Sequence, residues 1–287
     1  MRQARVRKRV PATFLLDRAA VELGERLSAV RRRFDVVADL GTPTDAVSRI
    51  LAANKNIGTI VAASANLQDA DQSLLRVAAD EEALPFADGV LDLVASVLTL
   101  QFVNDLPGTL IQVRRALKPD GLFLAALVGG ESLTELRSAF AAAESEIEGG
   151  VSPHVAPFAD VREIGNLLQR AGFALPVVDM DRLVVRYDSA FALMHDLRAM
   201  GATNALRERR RKPLRRRTLV RMAEIYAGRY ADADGRVRAT FEIIWLSAWA
   251  PHESQQKPLK PGSAAQRLAD ALGTTEISTG EKPGPSR

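Results

Sequence analysis

Short apolar segments alternate with helical or polar segments through the first half of the chain, and this alternation constrains the fold more than any other feature. The apolar segments cover residues 35–40, 58–63, 75–79, 91–97 and 122–128. Each is short and mostly apolar, as expected for strands of a parallel sheet that is buried on both faces. The sequence therefore predicts a doubly wound α/β fold.

Helical periodicity places helices between and after these strands. The predicted helices cover residues 13–30, 45–53, 106–117, 133–148, 160–171, 190–200 and 219–230. In "KPDG", Pro119 and Gly121 are expected to end a helix and to turn the chain into the fifth strand at residue 122. The apolar segment 236–249 predicts a last strand that pairs antiparallel at the end of the sheet.

These elements suggest five regions along the chain. We expect a basic N-terminal segment (1–12), an α/β core with an N-terminal helix (13–187), a helical insertion with a basic run (188–235), the last strand of the core (236–250) and a flexible tail (251–287). The tail is polar and rich in Pro, Gly and Ser, a composition typical of disorder.

Composition excludes several classes of protein. The chain has no cysteine, which removes disulfide frameworks, thiolate metal sites and cysteine nucleophiles. Its three histidines show no metal-ligand spacing, so we expect no metal. No apolar run approaches the roughly 20 residues that span a bilayer, and the basic start does not lead into a signal-peptide core. The prediction is a cytoplasmic protein.

The net charge of +4 conceals two basic segments. Residues 207–217, "RERRRKPLRRR", carry eight Lys or Arg and one Glu, residues 1–9 carry five Lys or Arg, and the rest of the chain has a charge of −8. Such segments can meet phosphates, anionic lipid or an acidic protein, or they can be solvated charge runs without a partner. Residues 207–217 contain no aromatic side chain to stack on bases, so we expect no DNA partner.

Four motifs at the strand ends resemble those of the class I S-adenosylmethionine-dependent methyltransferases. They are "DLG" after strand one, "ADEEALPF" before strand four, "VNDLP" after it and "LKPDG" before strand five. The resemblance implies a Rossmann-like, mostly parallel seven-stranded sheet with an antiparallel last strand and a small helical insertion. It also implies S-adenosylmethionine as the cofactor.

Longer strings resemble one family within this superfamily. "LPGTLIQVRRALKPDGLFLAALVGGESLTELRSAF", "EGGVSPHVAPFADVREIGNLLQRAGF" and the late "HES" are similar to the methyltransferase-like assembly factors of respiratory complex I (NADH:ubiquinone oxidoreductase). In mitochondria this family is similar to an arginine hydroxylase that acts on a complex I subunit. A more distant likeness is to the malonyl-carrier-protein methyltransferases of biotin synthesis. The resemblance implies a subunit of a respiratory complex as partner, and residues 207–217 fit a peripheral contact with the anionic inner face of its membrane.

The turn after strand one departs from the superfamily pattern Asp-x-Gly-x-Gly-x-Gly. Asp39 and Gly41 match the pattern, whereas Pro43 and Asp45 stand where the second and third glycines would be. Pro43 offers no N–H and adds a ring beside the backbone. Asp45 is expected to cap the next helix with its own carboxylate, so that this helix end cannot receive a ligand carboxylate. We therefore expect cofactor binding to be weak or lost.

Other cofactor contacts are unevenly kept. Residues 62–64 are Ala-Ala-Ser, where relatives place an acidic residue that holds the ribose hydroxyls. Asp80 resembles the residue that accepts a hydrogen bond from the adenine amino group, with Glu81 beside it; the alternative for Asp80 is a solvated turn acid before Pro85. The resemblance thus assigns cofactor contacts to Asp39, Gly41, Asp80, Glu81 and Gln101.

Polar side chains at other strand ends are candidates for substrate contact. Asn104 and Asp105 follow strand four, Glu131 follows strand five, and His154 lies in the loop "GGVSPHVAPF", which could fold over the site. A structural role for His154 within that loop is equally open. Because methyl transfer needs mainly positioning, the sequence identifies no catalytic residue.

Three functions fit the sequence. The first is an enzyme that uses S-adenosylmethionine to modify a protein subunit during complex I assembly. The second is an inactive pseudo-methyltransferase that acts as an assembly chaperone. The third is an RNA-binding or RNA-modifying methyltransferase relative.

Overall fold

The computed structural model describes residues 12–65, 75–256, 270 and 272–275. The chain divides into two units, residues 1–252 and residues 253–287. The basic residues 1–9 and most of the predicted tail lie outside the described residues, so those two predictions stay untested.

The first unit is built on one seven-stranded sheet with the order β3-β2-β1-β4-β5-β7-β6. Six neighbouring pairs hold it together, of which the four among β1 to β5 are parallel. The strands are β1 (Phe34–Leu40), β2 (Ile57–Ser64), β3 (Leu75–Ala78), β4 (Leu91–Val97), β5 (Leu117–Val128), β6 (Ala174–Tyr187) and β7 (Val237–Trp249). The predicted fold class is confirmed.

The last strand does not lie at the end of the sheet, as the sequence suggested. β7 pairs antiparallel with β5 on one side and with β6 on the other, so that β6 is the edge strand. The apolar character of β7 explains this position, since a strand between two neighbours is buried on both faces, whereas β6 alternates between exposed and half-buried residues.

The helices lie close to their predicted positions. They are α1 (Phe14–Ser28), α2 (Ala46–Ala52), α3 (Leu106–Ala116), α4 (Thr134–Glu148), α5 (Val161–Arg170), α6 (Ala190–Ala199) and α7 (Arg216–Tyr230). The predicted boundary at "KPDG" is wrong, because β5 begins at Leu117 directly after α3. Asp120 has a φ of 62°, and the β4–β5 register shifts at this point, so the segment is an irregular strand start.

Two apolar layers enclose the sheet. α1 and α2 cover one face, where Leu23 and Trp245 are fully buried. α3 and α5 cover the other face, where Phe123 and Phe173 stack with ring centroids 5.5 Å apart. A third cluster packs α4, α6 and α7 against the far ends of β6 and β7. The carboxyl ends of the parallel strands β1, β4 and β5 meet between these layers, at the edge where α/β folds bind ligands.

Candidate functional site

The end of β1 holds a buried carboxylate, that of Asp39, with one oxygen unpaired. Asp39 is 3% exposed, and the Ser48 hydroxyl on α2 donates a 2.6 Å hydrogen bond to its Oδ2. Its Oδ1 has no hydrogen-bond partner among the described residues, and the Thr42 hydroxyl lies nearby without a bond of good geometry. Burial raises the pKa of Asp39 to about 6, although the bond from Ser48 favours the charged form.

Gly41 occupies a place in the next turn that only glycine can fill. Its φ is +72°, and its amide donates a 2.7 Å hydrogen bond to the carbonyl of Ala63. A Cβ atom at this position would lie 2.5 Å from Oε1 of Glu81 and 2.5 Å from Cγ2 of Thr99. The Glu81 side chain therefore lies directly over the turn that follows β1.

Asp45 does not cap the following helix with its carboxylate, so this prediction is wrong. The Asp45 carboxylate makes no cap bond to the helix α2. Oδ1 of Asp45 lies instead 2.9 Å from Nη2 of Arg76 on β3. The amide of Ala46 donates a 3.2 Å hydrogen bond to the Thr44 hydroxyl oxygen. The physical reason is competition, because a guanidinium within reach binds a carboxylate more strongly than a backbone amide does.

An acid-lined pocket of about 200 Å³ opens beside this turn, between the segments that follow β3 and β4. It brings together three of the predicted residues, Asp80, Glu81 and Asn104. Burial raises the pKa of Glu81, and the neighbouring acids act in the same direction. The remaining lining residues are Glu82, Thr99, Phe102 and Val103.

Hydrogen bonds hold the rim of this acidic pocket. Oδ1 of Asp80 accepts a 2.9 Å bond from the Glu82 amide, and Oε1 of Glu82 accepts bonds from both the amide and the side chain of Asn104. Gln101 donates a 2.7 Å bond from Nε2 to the carbonyl of Leu98, which leaves its buried Oε1 without a partner. Asp80 and Asn104 are thus rim residues, while Gln101 and Glu81 carry unsatisfied acceptors.

Among the described residues, four buried side-chain oxygens have no hydrogen-bond partner at this edge of the sheet, and they test whether a cofactor fits. Three can only accept, namely Oδ1 of Asp39, Oε1 of Glu81 and Oε1 of Gln101, and the fourth is the Thr42 hydroxyl, which can also donate. Buried polar groups normally have a partner, and buried acceptors call for a ligand that donates hydrogen bonds or carries positive charge. S-adenosylmethionine has a cationic sulfonium, an ammonium group and an adenine amino group. The residues present fit such a ligand.

The other predicted substrate residues lie elsewhere. Asp105 caps α3, since its Oδ1 accepts a 2.9 Å hydrogen bond from the amide of Gly108. The Glu131 side chain is 61% exposed after β5, and its carboxylate lies 3.8 Å from the guanidinium of Arg182. The structure therefore gives Asp105 a local capping role and leaves Glu131 at the surface.

A second pocket, of about 530 Å³, surrounds His154 and is called the loop pocket below. The imidazole stacks on Phe140 with ring centroids 4.0 Å apart. Its Nε2 lies 2.9 Å from Oε1 of Glu144, a residue of α4 that is 1% exposed. The loop pocket is lined by Gly130, Arg137, Phe140, Ala141, Val151, Ser152, Pro153, His154, Val155, Pro157 and Phe158.

Glu144 anchors the loop that carries His154. Its carboxylate accepts hydrogen bonds from the amide and the hydroxyl of Ser152 as well as the contact with His154. Burial would raise the pKa of Glu144, but these hydrogen bonds outweigh burial and hold the pKa below its usual value. The same Nε2 of His154 faces both Ser152, at 3.3 Å, and Glu144, so the three residues do not form a relay of the Ser-His-acid type.

The basic run splits into paired and unpaired cations. Arg210 lies 3.3 Å and Arg215 3.5 Å from the carboxylate of Glu148, and Arg217 donates to the carbonyl of Ile147. These three cations thus cover the C-terminal end of α4, where positive charge is favourable. Four exposed cations form no ion pair with any residue in the described ranges, and we call them the free cations: Arg207, Arg211, Lys212 and Arg216.

Sequence reasoning missed three buried groups, Ser48, Glu144 and Glu242. Ser48 and Glu144 lie in amphipathic helices, where a buried polar residue gives no distinct signal. Glu242 is different, because a single acid inside the apolar strand "TFEIIWL" is a signal that could have found it.

Among the described residues, no cluster of three or more His, Asp or Glu is placed to hold a metal ion, and no helix is long and apolar enough to cross a membrane.

The strand order, together with the acidic pocket between the segments that follow β3 and β4, defines a protein of the methyltransferase fold. Residues 38–125 match the family model described as a methyltransferase domain. The crystal structure of the YcgJ protein of Bacillus subtilis is similar, with a TM-score of 0.55 and 14% identity over 80% of this chain and 98% of that one. At this identity the likeness concerns the fold alone.

Within that fold, the chain belongs to the family of the mitochondrial arginine-hydroxylase NDUFAF5. It is 39% identical over 262 residues to the relative of that name in Danio rerio, covering 90% of this chain and 81% of the relative. A malonyl-[acyl-carrier protein] O-methyltransferase of Laribacter hongkongensis is 41% identical over 186 residues, 65% of this chain and 60% of that protein. Both family resemblances predicted from the sequence are confirmed.

Proposed function

We propose that the chain binds S-adenosylmethionine at the ends of β1 and β4 and modifies a protein subunit of respiratory complex I during assembly. The observation that carries the proposal is the group of three unpaired buried acceptors, on Asp39, Glu81 and Gln101. Each lies at a position assigned to the cofactor from the sequence. If the site were occluded, each unpaired acceptor would cost free energy that no ligand could offset.

The residues at the site would bind and orient the ligand. Asp39 and Glu81 would face its cationic groups, while Asp80 on the pocket rim would accept from the adenine amino group. When bound, S-adenosylmethionine supplies an electrophilic methyl group. The low polarity around Asp39, which raises its pKa, would strengthen its attraction to a cation.

The substrate that we propose is an arginine side chain of a complex I subunit. The support is family membership, since the relative in Danio rerio is named an arginine-hydroxylase. A chaperone without catalysis is the second candidate. It is favoured by Pro43 at the second glycine position and by Asp45, whose carboxylate is engaged by Arg76.

The free cations suggest how the protein meets its partner. We propose that Arg207, Arg211, Lys212 and Arg216 contact the anionic inner face of the membrane in which complex I is embedded, from the cytoplasmic side. Several lysines or arginines close to an anionic surface each add to the attraction, and salt weakens it. The relative in Danio rerio is named as mitochondrial, so the cytoplasmic side is our proposal for this chain.

Isothermal titration with S-adenosylmethionine tests the proposal. We expect a Kd tighter than about 1 mM, equivalent to about −4 kcal/mol, for the wild type. Glu81→Gln should weaken binding by about tenfold, because one buried charge–charge contact is lost. Glu131→Gln, which changes an exposed acid at the next strand, is the matched control and should bind like the wild type. No binding at millimolar ligand would contradict the enzyme and favour the chaperone.

A further inference from the structure

The loop pocket contains a cation, Arg137, that has no acidic partner among the described residues. The Arg137 side chain, on α4, lines the pocket and is half-buried. Its Nη2 donates to the carbonyls of Gly130 and Ser132, at 3.4 Å and 3.3 Å, which is longer than usual for such bonds. Because a guanidinium has five N–H donors, most of the hydrogen-bonding capacity of Arg137 is unused.

The unused donors of Arg137 are accessible. Nε and Nη1 form no hydrogen bond with any residue in the described ranges, but neither is a buried atom without a partner. Both atoms therefore keep contact with solvent. Nε of Arg114 is the opposite case, since it is buried and unpaired and no ligand can reach it. The free donors of Arg137 can serve a ligand in the loop pocket.

The charge of the loop pocket is positive. Its lining includes no acidic side chain, and the other ionisable side chain that lines it is His154, which is held by Glu144. The Glu144 carboxylate is 1% exposed and also faces the guanidinium of Arg210, at 3.8 Å. Because that carboxylate is covered and has cationic and hydrogen-bonding partners of its own, Arg137 determines the sign of the charge that a ligand meets.

The wall of the loop pocket is held in place from two sides. Ser152 and His154 both contact the Glu144 carboxylate on α4. The side-chain amide of Asn204, in the segment that follows α6, donates a 2.6 Å hydrogen bond to the carbonyl of Pro153. Three consecutive residues of the loop are thus fixed, so a ligand would lose little free energy in ordering them.

Most of the lining of the loop pocket is apolar. Phe140 and Phe158 provide aromatic walls, and Val151 is 63% exposed. A volume of about 530 Å³ is within the range of small-ligand pockets. Burying such surfaces against an apolar group is favourable. The pocket therefore suits a ligand that combines an apolar group with a single negative charge.

A carboxylate fits this pocket better than a phosphate does. Phosphate groups are commonly recognised by clusters of arginines, whereas Arg137 is the only Arg or Lys among the described residues that line the pocket. A guanidinium pairs with a carboxylate through two parallel hydrogen bonds. Arg137 would repel an arginine side chain, so the pocket does not hold the residue that is modified in the proposed function.

The loop pocket lies at the edge of the sheet where we propose that the cofactor binds. Gly130, which lines the pocket, follows the last residue of β5 by two positions. β5 pairs in parallel with β4, so the two strands end at the same edge. An extended segment along this edge can place one residue at the cofactor and a neighbouring residue in the pocket.

We propose that the loop pocket binds an acidic side chain of the partner subunit, close in sequence to the modified residue, through an ion pair with Arg137. An apolar residue beside this acid would contact Phe140 and Phe158. The identity of the ligand as a segment of a protein substrate rests on the proposed function. The carboxylate class rests on the free donors of Arg137 and on the apolar lining.

Isothermal titration of the full chain with capped tripeptide amides tests the class of ligand. The probes are Phe-Glu-Phe, the neutral Phe-Gln-Phe and the same peptide with phosphoserine in the middle. The glutamate peptide should bind the wild type at least about tenfold more tightly than the glutamine peptide. Equal binding of these two would overturn the proposal. Binding of the phosphoserine peptide that is tighter and depends on Arg137 would overturn the carboxylate class.

Substitution of Arg137 tests the site. Arg137→Gln should lower the affinity for the glutamate peptide to that for the glutamine peptide, because the cation is lost. Arg211→Gln removes one of the free cations outside the pocket and is the matched control, which should bind both peptides like the wild type. An Arg137→Gln protein that keeps the tenfold preference for glutamate would overturn the proposal.

A second variant keeps the cation and changes an apolar wall. Phe158→Ala should weaken both peptides by at least about fivefold and preserve the preference for glutamate, since it removes only apolar contact. This variant tests the location even if Arg137→Gln does not fold. Unchanged binding of both peptides to Phe158→Ala would place them outside the loop pocket and overturn the proposal.

These results are separable from a failure of the proposed function. The affinity for S-adenosylmethionine, measured on the Arg137→Gln protein, should match that of the wild type. If neither protein binds S-adenosylmethionine but the glutamate peptide still depends on Arg137, the cofactor proposal fails and the carboxylate site stands. If both bind S-adenosylmethionine and the peptide does not depend on Arg137, the carboxylate site fails and the cofactor proposal stands.

Discussion

The Ser48 hydroxyl donates a 2.6 Å hydrogen bond to the buried carboxylate of Asp39 and so joins the first turn of α2 to the end of β1. Only one carboxylate oxygen is used in this way. The other is available to a ligand, and the cost of keeping a charge there appears as the raised pKa of Asp39, about 6. Keeping Asp39 charged for ligand binding therefore lowers the free energy of unfolding by an amount that can be measured.

The stability contributed by Asp39 should depend on pH. The pKa of Asp39 is about 6 in the folded protein and 3.8 ordinarily. The contribution of Asp39 to the free energy of unfolding is therefore complete below about pH 3.8 and is lost as the pH rises through 6. At pH 7.5, Asp39→Asn should therefore be more stable than the wild type, by at most roughly 3 kcal/mol. Urea unfolding at pH 4 and pH 7.5 measures this difference. A gain that is the same at both pH values would contradict the assignment.

The ion pair of Asp45 with Arg76 predicts coupling between two elements of the fold. Both side chains are partly buried, with 27% and 16% of their areas exposed, so the coupling should be about 1 kcal/mol. Urea unfolding of Asp45→Ala, Arg76→Ala and the double variant gives this value. If Asp45 acted as a helix cap, replacing it would cost the same with or without Arg76, and the cycle would show no coupling.

His154 should act as an anchor of its loop. His154→Phe keeps the stack on Phe140 but loses the contact with Glu144, whereas His154→Ala loses both. We expect the alanine variant to be about 1 kcal/mol less stable than the phenylalanine variant, which is the worth of an aromatic pair. Equilibrium unfolding tests the order. Two variants of wild-type stability that both lack activity would identify His154 as a catalytic residue instead.

The two groups of cations in the basic run should respond differently to substitution. Arg210→Ala removes the cation beside Glu148 and Glu144 and should lower the melting temperature. Lys212→Ala changes a free cation and should leave the melting temperature unchanged but weaken sedimentation with vesicles that contain anionic lipid. Raising the salt concentration should reduce the vesicle binding of the wild type. Binding that is unaffected by salt and by Lys212→Ala would rule out the proposed membrane contact.

The sheet was predictable because its strands are local apolar runs. Leu91–Val97 coincides with the predicted fourth strand, and β1 differs from its prediction by one residue. The position of β7 was not predictable in the same way. It depends on pairing between residues more than a hundred positions apart, such as Leu122 and Trp249. The local pattern of apolar and polar residues does not predict such pairing.

The candidate site was only partly predictable. The resemblance led to Asp39, Glu81 and Gln101 as cofactor residues, but not to the unpaired oxygen atoms that support the assignment. The expected cap at Asp45 failed because its partner, Arg76, lies 31 residues away on β3. Local sequence can identify a residue that is able to cap a helix, while tertiary structure decides which partner it takes.

A crystal structure of the protein with S-adenosylmethionine tests the central claim most directly. We expect the ligand at the ends of β1 and β4, with one of its cationic groups within hydrogen-bond or ion-pair distance of Oδ1 of Asp39 or Oε1 of Glu81. A ligand bound elsewhere, or bound here with both oxygens still unpaired, would contradict the account.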